Sequence, residues 1–372
     1  MAAVTALTPV TSHDDARSVL NSLVTGTVQA KASDLHLRAG AVPFLRVDGR
    51  LVKVPGGALS VPLVEGLLAL TSTRLPSQFG DESFEFSYEM PQVARFRGHA
   101  FRESGAWAVS LRLIPLSVPT FHELRLPPVV KVLCEVQPGL TLITGPTGSG
   151  KSTTAAAMLR AMAMSDTLHV VTVEDPSEYR ITDTPSCISQ REIGRDTRSF
   201  SDALKSAFRE DPDVLFIGEI RDRETLEVAL QSAESGIAVL STFHTSSALR
   251  TVQRLIAMAP TDDQVHVRGR LADTLRAVVS QRLLPRKGSR GRVLCCEVMI
   301  NNFAIKDCIR EASRTQLIPS VLERATDQLM QSFDKQLVAL VREGAVSAEV
   351  GLTYASAPND VRRLLNLPGL QP

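Results

Sequence analysis

Aromatic residues are scarce in this sequence: Phe, Trp and Tyr make up only 5% of its 372 residues, and there is one Trp. Proteins that bind single-stranded nucleic acid commonly stack bases on aromatic side chains, so this composition argues against a chain of such platforms. Positive charge is not in excess either, because 41 Lys and Arg face 40 Asp and Glu and leave a formal net charge of +1. We therefore expect no nucleic-acid partner.

Cysteine is also rare, and no two cysteines form a C-x-x-C pair. An odd number of scattered thiols is typical of reduced, buried cysteines in a cytosolic protein and gives no zinc signature. The five are Cys134, Cys187, Cys295, Cys296 and Cys308. No run approaches 18 apolar residues, and the first 20 residues lack a basic segment before an apolar one. We expect no signal peptide, no direct membrane insertion and a cytoplasmic location.

The chain has enough apolar residues for a large core, and its length suggests two or three domains. The front of the chain, residues 1–115, is predicted to be an α+β domain. A first helix starts near Ser12, with Asp14 and Asp15 in its first turn, and a second spans Leu63–Leu70. The strands are DLHLR, a hairpin FLRV-DG-RLVKV around Asp48-Gly49, FEFSYEM, ARFRGHAF and AWAVSLRLIP.

A Pro-rich stretch, residues 116–128, follows and is predicted to be a linker, because repeated Pro breaks both helices and central strands. Beyond it, over residues 129–268, apolar strands alternate with helices. This pattern predicts a parallel sheet covered on both faces, with ligands bound beyond the carboxyl ends of the strands. From Asp262 on the chain is predicted to be mostly helical, so residues 269–372 form a helical C-terminal region.

The strongest motif fits G-x-x-x-x-G-K-[ST] in full and lies between a predicted strand and a predicted helix. A chance Gly-rich turn would not also have these two neighbours. In such a P-loop, backbone N–H groups approach phosphate closely, the lysine reaches the β- and γ-phosphates and the serine binds Mg²⁺. The predicted nucleotide-binding residues are Gly145, Pro146, Thr147, Gly148, Ser149, Gly150, Lys151, Ser152 and Thr153.

Three later apolar strands end in polar side chains that could serve this site. Glu174 and Asp175 follow VVTV, Glu219 follows VLFIG, and His244 follows LSTF. One such residue alone is an ordinary strand end, but three downstream of a P-loop suit an ATP hydrolase. It needs a carboxylate near Mg²⁺, a group that orients water and a group that senses the γ-phosphate. We assign Glu219 to Mg²⁺, Glu174 to water and His244 to sensing, although either glutamate could hold either of the first two roles.

These segments together resemble the secretion-ATPase superfamily, which powers type IV pili, type II secretion and type IV secretion. GPTGSGKSTT, VEDPSEY with REIGRDTRSF, REDPDVLFIGEIRD and STFHTSSALRTVQRL resemble its Walker A, Asp box, Walker B and His box. The resemblance covers nearly the whole chain. It implies an Mg²⁺-dependent ATPase that forms a homohexamer, with a PAS-like α+β domain followed by a RecA-like α/β ATPase domain. It also implies nucleotide-driven movement about the Pro-rich segment.

The same resemblance gives the arginines of the front domain a possible catalytic role. From the residues alone, Arg95 and Arg97 share a strand face and Arg112 lies on the next strand, as surface arginines often do. In this superfamily front-domain arginines reach the γ-phosphate, where they offset the charge of the transferred group. On that basis we assign the role to Arg97 and Arg112, and then to Arg102.

Within the superfamily the chain resembles the pilus retraction branch. Other branches usually carry an extra amino-terminal domain and often a tetracysteine loop, neither of which is seen here. Ala304-Ile-Lys-Asp-Cys-Ile-Arg-Glu311 is also similar to that branch's retraction motif, although Lys306, Asp307 and Cys308 depart from it. The stripe Ala304, Ile305, Cys308, Ile309 and Ala312 suits a packed core, which leaves Arg310 and Glu311 for any special role. The implied partner is the inner-membrane platform protein of the pilus machine, at the cytoplasmic face of that membrane.

Other functions remain open at this stage. The chain could power pilus assembly, secretion or DNA uptake within the same superfamily. It could be a RecA-like nucleic-acid translocase, which its balanced charge opposes. It could also be a nucleotide-binding accessory paralogue that hydrolyses poorly, which the presence of Lys151, Glu174, Glu219 and His244 opposes.

Overall fold

The computed structural model describes residues 15–47, 49–72, 83–114, 117–182, 184–288, 291–325 and 329–367. The chain divides into two compact units. The first is Met1–Ser117 with Pro176–Arg180, and the second is Val118–Asp175 with Ile181–Pro372. Residues 176–180 therefore belong to the first unit, although the sequence places them within the ATPase core.

The first unit is an antiparallel sheet of six strands in the order β3-β2-β1-β6-β5-β4, with two helices on one face. Side chains alternate between the two faces of a strand, so every second residue reaches the core beneath the helices. Leu35, Phe96 and Leu111 lie in this core. The elements are α1 (Ala16–Gln29), β1 (Asp34–Arg38), β2 (Phe44–Val47), β3 (Arg50–Lys53), α2 (Val61–Thr71), β4 (Phe84–Met90), β5 (Ala94–Glu103) and β6 (Ala106–Ile114).

The strands predicted for this unit and its α+β class are confirmed, while the PAS-like subdivision stays a prediction. The hairpin pairs Val47 with Arg50, and Asp48 lies outside the described residues. The expected helix start at Ser12 and Asp14 also lie outside them. In the described part the helix begins at Ala16, and Asp15 is its N-cap, since the carboxylate accepts the Ser18 N–H at 3.4 Å.

The second unit is a seven-stranded sheet in the order β13-β12-β7-β11-β10-β8-β9, parallel except for the antiparallel pair β12–β13. Two apolar clusters cover its two faces, one with α4 and α5 and the other with α6 to α9 and the later helices Phe303–Arg310 and Ile318–Arg324. This is the RecA-like architecture that the sequence predicts. The elements up to α9 are α3 (Phe121–Leu124), α4 (Pro128–Val132), β7 (Gly139–Thr144), α5 (Lys151–Ser165), β8 (His169–Glu174), β9 (Cys187–Glu192), α6 (Phe200–Ala207), β10 (Val214–Ile217), α7 (Arg223–Glu234), β11 (Ala238–Phe243), α8 (Ala248–Ala257) and α9 (Gln264–Thr274).

The C-terminal part corrects the expectation of a mostly helical chain after Asp262. Two long strands, β12 (Leu275–Pro285) and β13 (Arg292–Ile300), complete the sheet before helices resume at Phe303. The central residues of both strands are buried on both faces, so these strands lack the apolar–polar alternation by which a half-exposed strand is recognised. The later helices are α10 (Phe303–Arg310), α11 (Ile318–Arg324), α12 (Phe333–Arg342), α13 (Ala348–Tyr354) and α14 (Pro358–Leu364).

Most of the predicted Pro-rich linker is ordered structure of the second unit. It contains α3, whose N-terminus has a capping box formed by Thr120 and Glu123, and it leads directly into α4. Pro127 and Pro128 take the N-cap and first-turn positions of α4, where a missing N–H costs nothing. A structureless linker over residues 116–128 is therefore wrong for this part, while Pro115 and Leu116 lie outside the described residues.

The cysteines are all free thiols, and four of them are buried as predicted. Cys187 at the start of β9 is exposed, contrary to the expectation of five buried cysteines. None of the helices in the described ranges is both long enough and apolar enough to cross a membrane.

Candidate nucleotide-binding and catalytic site

The P-loop connects the buried strand β7 to helix α5, and its backbone requires glycine. Gly145, Gly148 and Gly150 have φ values of 152°, 76° and 90°, which L-residues with a side chain rarely adopt. A Cβ at Gly145 would also lie 2.5 Å from both the Gln281 carbonyl oxygen and Ser149 Oγ. The loop can therefore keep this path only with glycine at these positions.

Several donors of the loop suit a bound phosphate. Helix α5 has Gly150 as its N-cap and no side-chain cap, and a helix N-terminus favours an anion. Ser149 Oγ is buried and has no hydrogen-bond partner among the described residues. The Lys151 ammonium, also buried, donates to the carbonyl oxygens of Gly145 at 2.9 Å and Pro146 at 3.1 Å. A triphosphate fits this set of donors.

The hairpin β12–β13, which the sequence analysis missed, supports the P-loop from the neighbouring strands. Gln281 Nε2 donates to Thr154 Oγ1 at 2.8 Å, and the hydroxyls of Thr144 and Ser280 lie 2.8 Å apart. Arg292 donates to the Gly148 carbonyl oxygen at 3.3 Å. Ser280 and Gln281 make β12 difficult to recognise in the sequence, and in the structure they hold the two ends of the P-loop.

The three predicted strand-end residues meet at one edge of the sheet. Strands β7, β11, β10 and β8 are neighbours and run parallel, with Phe243 opposite Thr144 and Ile217 opposite Val173. His244 and Glu219 follow β11 and β10, while Glu174 ends β8. The structure therefore brings all three to the side from which the P-loop emerges.

Glu219 is surrounded by charged and titratable side chains at this edge of the sheet. Its carboxylate is 15% exposed, accepts a hydrogen bond from His244 Nε2 at 2.9 Å and pairs with Arg221. Arg221 also lies 3.7 Å from the Asp175 carboxylate. Burial, together with the nearby charges of Lys151 and Arg221, lowers the pKa of His244 below its ordinary value. At neutral pH the imidazole is thus a neutral donor to Glu219.

Glu174 has different surroundings. Its Oε1 accepts from Thr172 Oγ1 at 2.9 Å and from Gln190 Nε2 at 3.4 Å. Gln190 belongs to β9, a strand that the sequence analysis did not detect. Within the described ranges no group of three or more His, Cys, Asp or Glu could hold a metal ion. Any Mg²⁺ here would share its coordination between the protein, phosphate and water.

Arg97 and Arg112 lie directly opposite each other on β5 and β6 of the first unit. Arg97 pairs with Glu85 at 2.7 Å and lies 3.8 Å from Glu178. Arg112 donates to the buried Asp34 carboxylate at 3.0 Å, yet its own side chain is 72% exposed. Burial raises the pKa of Asp34, but hydrogen bonds from Ser33 and Arg112 outweigh this and keep the pKa below its usual value.

The structure does not bring Arg102 together with these two arginines. Arg102 pairs across the strands with Trp107, whose ring belongs to the core beneath the helices. Its guanidinium lies 4.4 Å from the centre of that ring. Arg102 therefore lies on the opposite face of the sheet from Arg97, since side chains alternate along β5. The stacking on Trp107 explains this arginine without any role in catalysis.

Comparison with known proteins gives consistent matches over most of the chain. The model of the family described as Type II/IV secretion system protein matches residues 119–350. The type IV pilus retraction ATPase PilT of Pseudomonas aeruginosa is 39% identical over 343 residues, which is 92% of this chain and 99% of that protein. A twitching motility protein of Neisseria gonorrhoeae is 38% identical over 92% of this chain and 91% of its own length.

Solved structures agree with these relatives. The crystal structure of the pilus retraction motor PilT with bound ADP matches with a TM-score of 0.85 and 37% identity, over 93% of this chain and 99% of that one. The ATPase DotB of Legionella pneumophila matches with a TM-score of 0.76 and 26% identity, over 94% of this chain and all of that one.

The different surroundings of the two glutamates predict different effects of Glu→Gln substitution. We expect Glu174→Gln to bind ATP and Mg²⁺ but to lose turnover, because an amide is a poor base for water. Glu219→Gln should instead raise the Mg²⁺ concentration needed for half-maximal activity. The measurement is the ATPase rate across a Mg²⁺ titration. Glu224→Gln, an exposed substitution on α7, is the control. Normal turnover in Glu174→Gln would reverse the assignment or remove it.

Proposed function

Because this chain belongs to the Type II/IV secretion system protein family, and within it to the PilT-type pilus retraction ATPases, we propose that it hydrolyses ATP to retract type IV pili. The observation that supports the chemistry is the complete P-loop at the sheet edge where Glu174, Glu219 and His244 converge. The proposed motor is a homohexamer. It acts at the cytoplasmic face of the inner membrane on the platform protein of the pilus machine.

Each group of residues at this edge of the sheet has one proposed role. The P-loop N–H groups and Lys151 hold the β- and γ-phosphates, and Ser152 with Glu219 would hold Mg²⁺, which neutralises charge that builds up on the phosphates. Glu174 accepts a proton from the attacking water and orients it. His244 senses the γ-phosphate. Its hydrogen bond to Glu219, at 2.9 Å, connects this sensing to the carboxylate assigned to Mg²⁺.

The paired arginines of the first unit complete the proposal. Arg97 and Arg112 lie directly opposite each other on neighbouring strands, so their side chains leave the same face of the sheet, and Arg112 is largely exposed. A guanidinium can form two parallel hydrogen bonds to phosphate oxygens and offset their charge. We assign both to the γ-phosphate in the assembled ring and leave Arg102 out, since Trp107 holds it on the other face.

The substitution Lys151→Ala tests the nucleotide site. The loop would lose the fixed cation that serves the β- and γ-phosphates, so we expect the ATPase rate to fall at least ~100-fold. Lys205→Ala, which removes an exposed lysine of α6, should retain the full rate. Undiminished hydrolysis by Lys151→Ala, in protein shown to be free of contaminating ATPase, would reject the assignment of the P-loop.

The arginine assignment predicts a specific kinetic pattern for Arg97→Ala and Arg112→Ala. If both side chains act on the transferred phosphoryl group, kcat should fall by about 10²-fold or more while KM for ATP changes little. Arg102→Ala is the matched control from the other face and should hydrolyse ATP normally once its folding has been verified. An equal and modest change in kcat and KM for Arg97→Ala and Arg112→Ala would mark them as ordinary surface residues.

Helix α10 carries the segment that resembles a retraction motif. Ile305, Cys308 and Ile309 are buried as expected, whereas Ala304 and Ala312 are exposed, so the packed stripe is shorter than the sequence predicts. The helix ends at Arg310, with Glu311 as its C-cap. Arg310 pairs with Asp273 of α9 at 2.5 Å, and both side chains are about half-exposed. Such a pair contributes ~0–1 kcal/mol to stability.

Arg310→Ala with Glu311→Ala tests whether this segment acts in retraction. Because the lost ion pair is weak, the double variant should remain folded and keep its oligomeric size and ATPase rate. If the segment transmits force, surface motility in a complementation assay should be lost. Asp273→Ala removes the same ion pair, together with the 3.5 Å pair between Lys306 and Asp273, and serves as the control. Full motility of the folded double variant would reject the role. If Asp273→Ala abolished motility equally, the ion pair rather than Arg310 and Glu311 themselves would be responsible.

A further inference from the structure

One face of the β12–β13 hairpin carries polar residues between two apolar clusters. Ser280 lies opposite Glu297, and Arg282 is two residues further along β12, so all three share this face. The clusters at its two ends include Val278 with Met299, and Leu284 with Val293. Glu297 is only 9% exposed. A carboxylate in such a place is costly unless it has partners, so its contacts explain why it is tolerated.

Glu297 makes its contact at the start of helix α8. Its Oε1 accepts a hydrogen bond from the backbone N–H of Ala248, the first residue of that helix, at 2.7 Å. This N–H has no partner within the helix, and a negative charge is favourable at a helix N-terminus. The preceding residue, Ser247, caps the helix by accepting from the Arg250 N–H. Glu297 and Ser247 together fix where α8 begins, four residues after His244.

Arg282 holds the same segment from the adjacent strand. Its guanidinium donates to the Ser246 carbonyl oxygen at 3.3 Å and to the Tyr354 carbonyl oxygen at 2.8 Å. It also lies 3.9 Å from the centre of the Phe333 ring of α12. Arg282 and Glu297 thus hold residues 246–248 in place by hydrogen bonds at both ends of the segment. The C-terminal helices α12 and α13 are attached to the same arginine.

We propose that Glu297 is a positioning residue for His244, holding with Arg282 the segment 246–248 so that the imidazole stays in hydrogen-bond contact with Glu219. This inference rests on the proposed ATPase function. Glu297 touches neither the P-loop nor Glu219 in the described contacts, and its effect on hydrolysis passes through the backbone that leads from His244 to α8.

The burial of Glu297 and the charges around it make its hydrogen bond with the Ala248 N–H sensitive to pH. Burial raises the pKa of Glu297 to about 7, although the Ala248 N–H and Arg282 favour its ionised form. Asp334 of α12 and Glu323 of α11 oppose ionisation. Above about pH 7 the carboxylate is charged and accepts strongly from Ala248. Below that pH it is protonated and holds the helix start more weakly.

The experiment compares kcat and KM for ATP across pH 6–9 in the wild-type full-length chain, in Glu297→Gln and in Glu297→Ala. Wild-type kcat should rise with pH through a step near 7, and this step should be missing from Glu297→Gln, which has no charge to lose. At pH 8 we expect kcat to fall about tenfold in Glu297→Gln and further in Glu297→Ala. The glutamine oxygen can still accept from Ala248, whereas alanine has no acceptor. KM should stay within about twofold throughout.

Glu135→Gln, at an exposed position after α4, is the matched control and should follow the wild-type profile. If Glu297→Ala does not fold, the nearly isosteric glutamine variant decides the question. A Glu297→Gln profile equal to wild type, or a change in KM alone, would overturn the inference while leaving the proposed function intact. Absence of hydrolysis by the wild-type chain itself would instead overturn the proposed function, and with it the role of Glu297.

Discussion

Parallel hydrogen bonding between β7, β11, β10 and β8 is the constraint on which the candidate site depends. Parallel neighbours end at the same edge of a sheet, so residues as far apart in the chain as Lys151, Glu174, Glu219 and His244 are gathered there. The strands are anchored by burial on both faces, with Leu142, Val173 and Ile217 in one cluster and Ile143 and Phe216 in the other. The apolar core thereby fixes the spacing of the charged groups at its edge.

The sequence predicts this edge well because each of its motifs is local. A P-loop, a strand-end carboxylate and an apolar run can each be recognised within about ten residues. The β12–β13 hairpin could not be recognised in this way, since its polar residues Ser280, Gln281 and Glu297 find their partners at Thr144, Thr154 and Ala248. Burial of both faces removed the alternation, and only the tertiary fold shows what these side chains satisfy.

In the front domain, too, local sequence patterns predict some features, whereas others depend on contacts between residues that are far apart in the sequence. Its strands follow from alternation and turns, and their register puts Arg97 beside Arg112. Sequence spacing could not separate Arg102 from these two, because its position depends on which face carries Trp107. Likewise, the proline count suggested a linker, whereas capping at Thr120 and the prolines at the start of α4 make the segment helical. Proline opposes a helix interior but favours its first turn.

Overall charge is a poor guide to an anion site of this kind. The chain is nearly neutral, yet Lys151 and Arg292 donate to carbonyl oxygens of the P-loop itself, at Gly145, Pro146 and Gly148. These hydrogen bonds orient the two cations at the loop. Arg282 is held similarly, by the carbonyls of Ser246 and Tyr354 and the Phe333 ring. Cations oriented in this way add positive potential beside the loop, and its effect is local because salt screens it within about 10 Å.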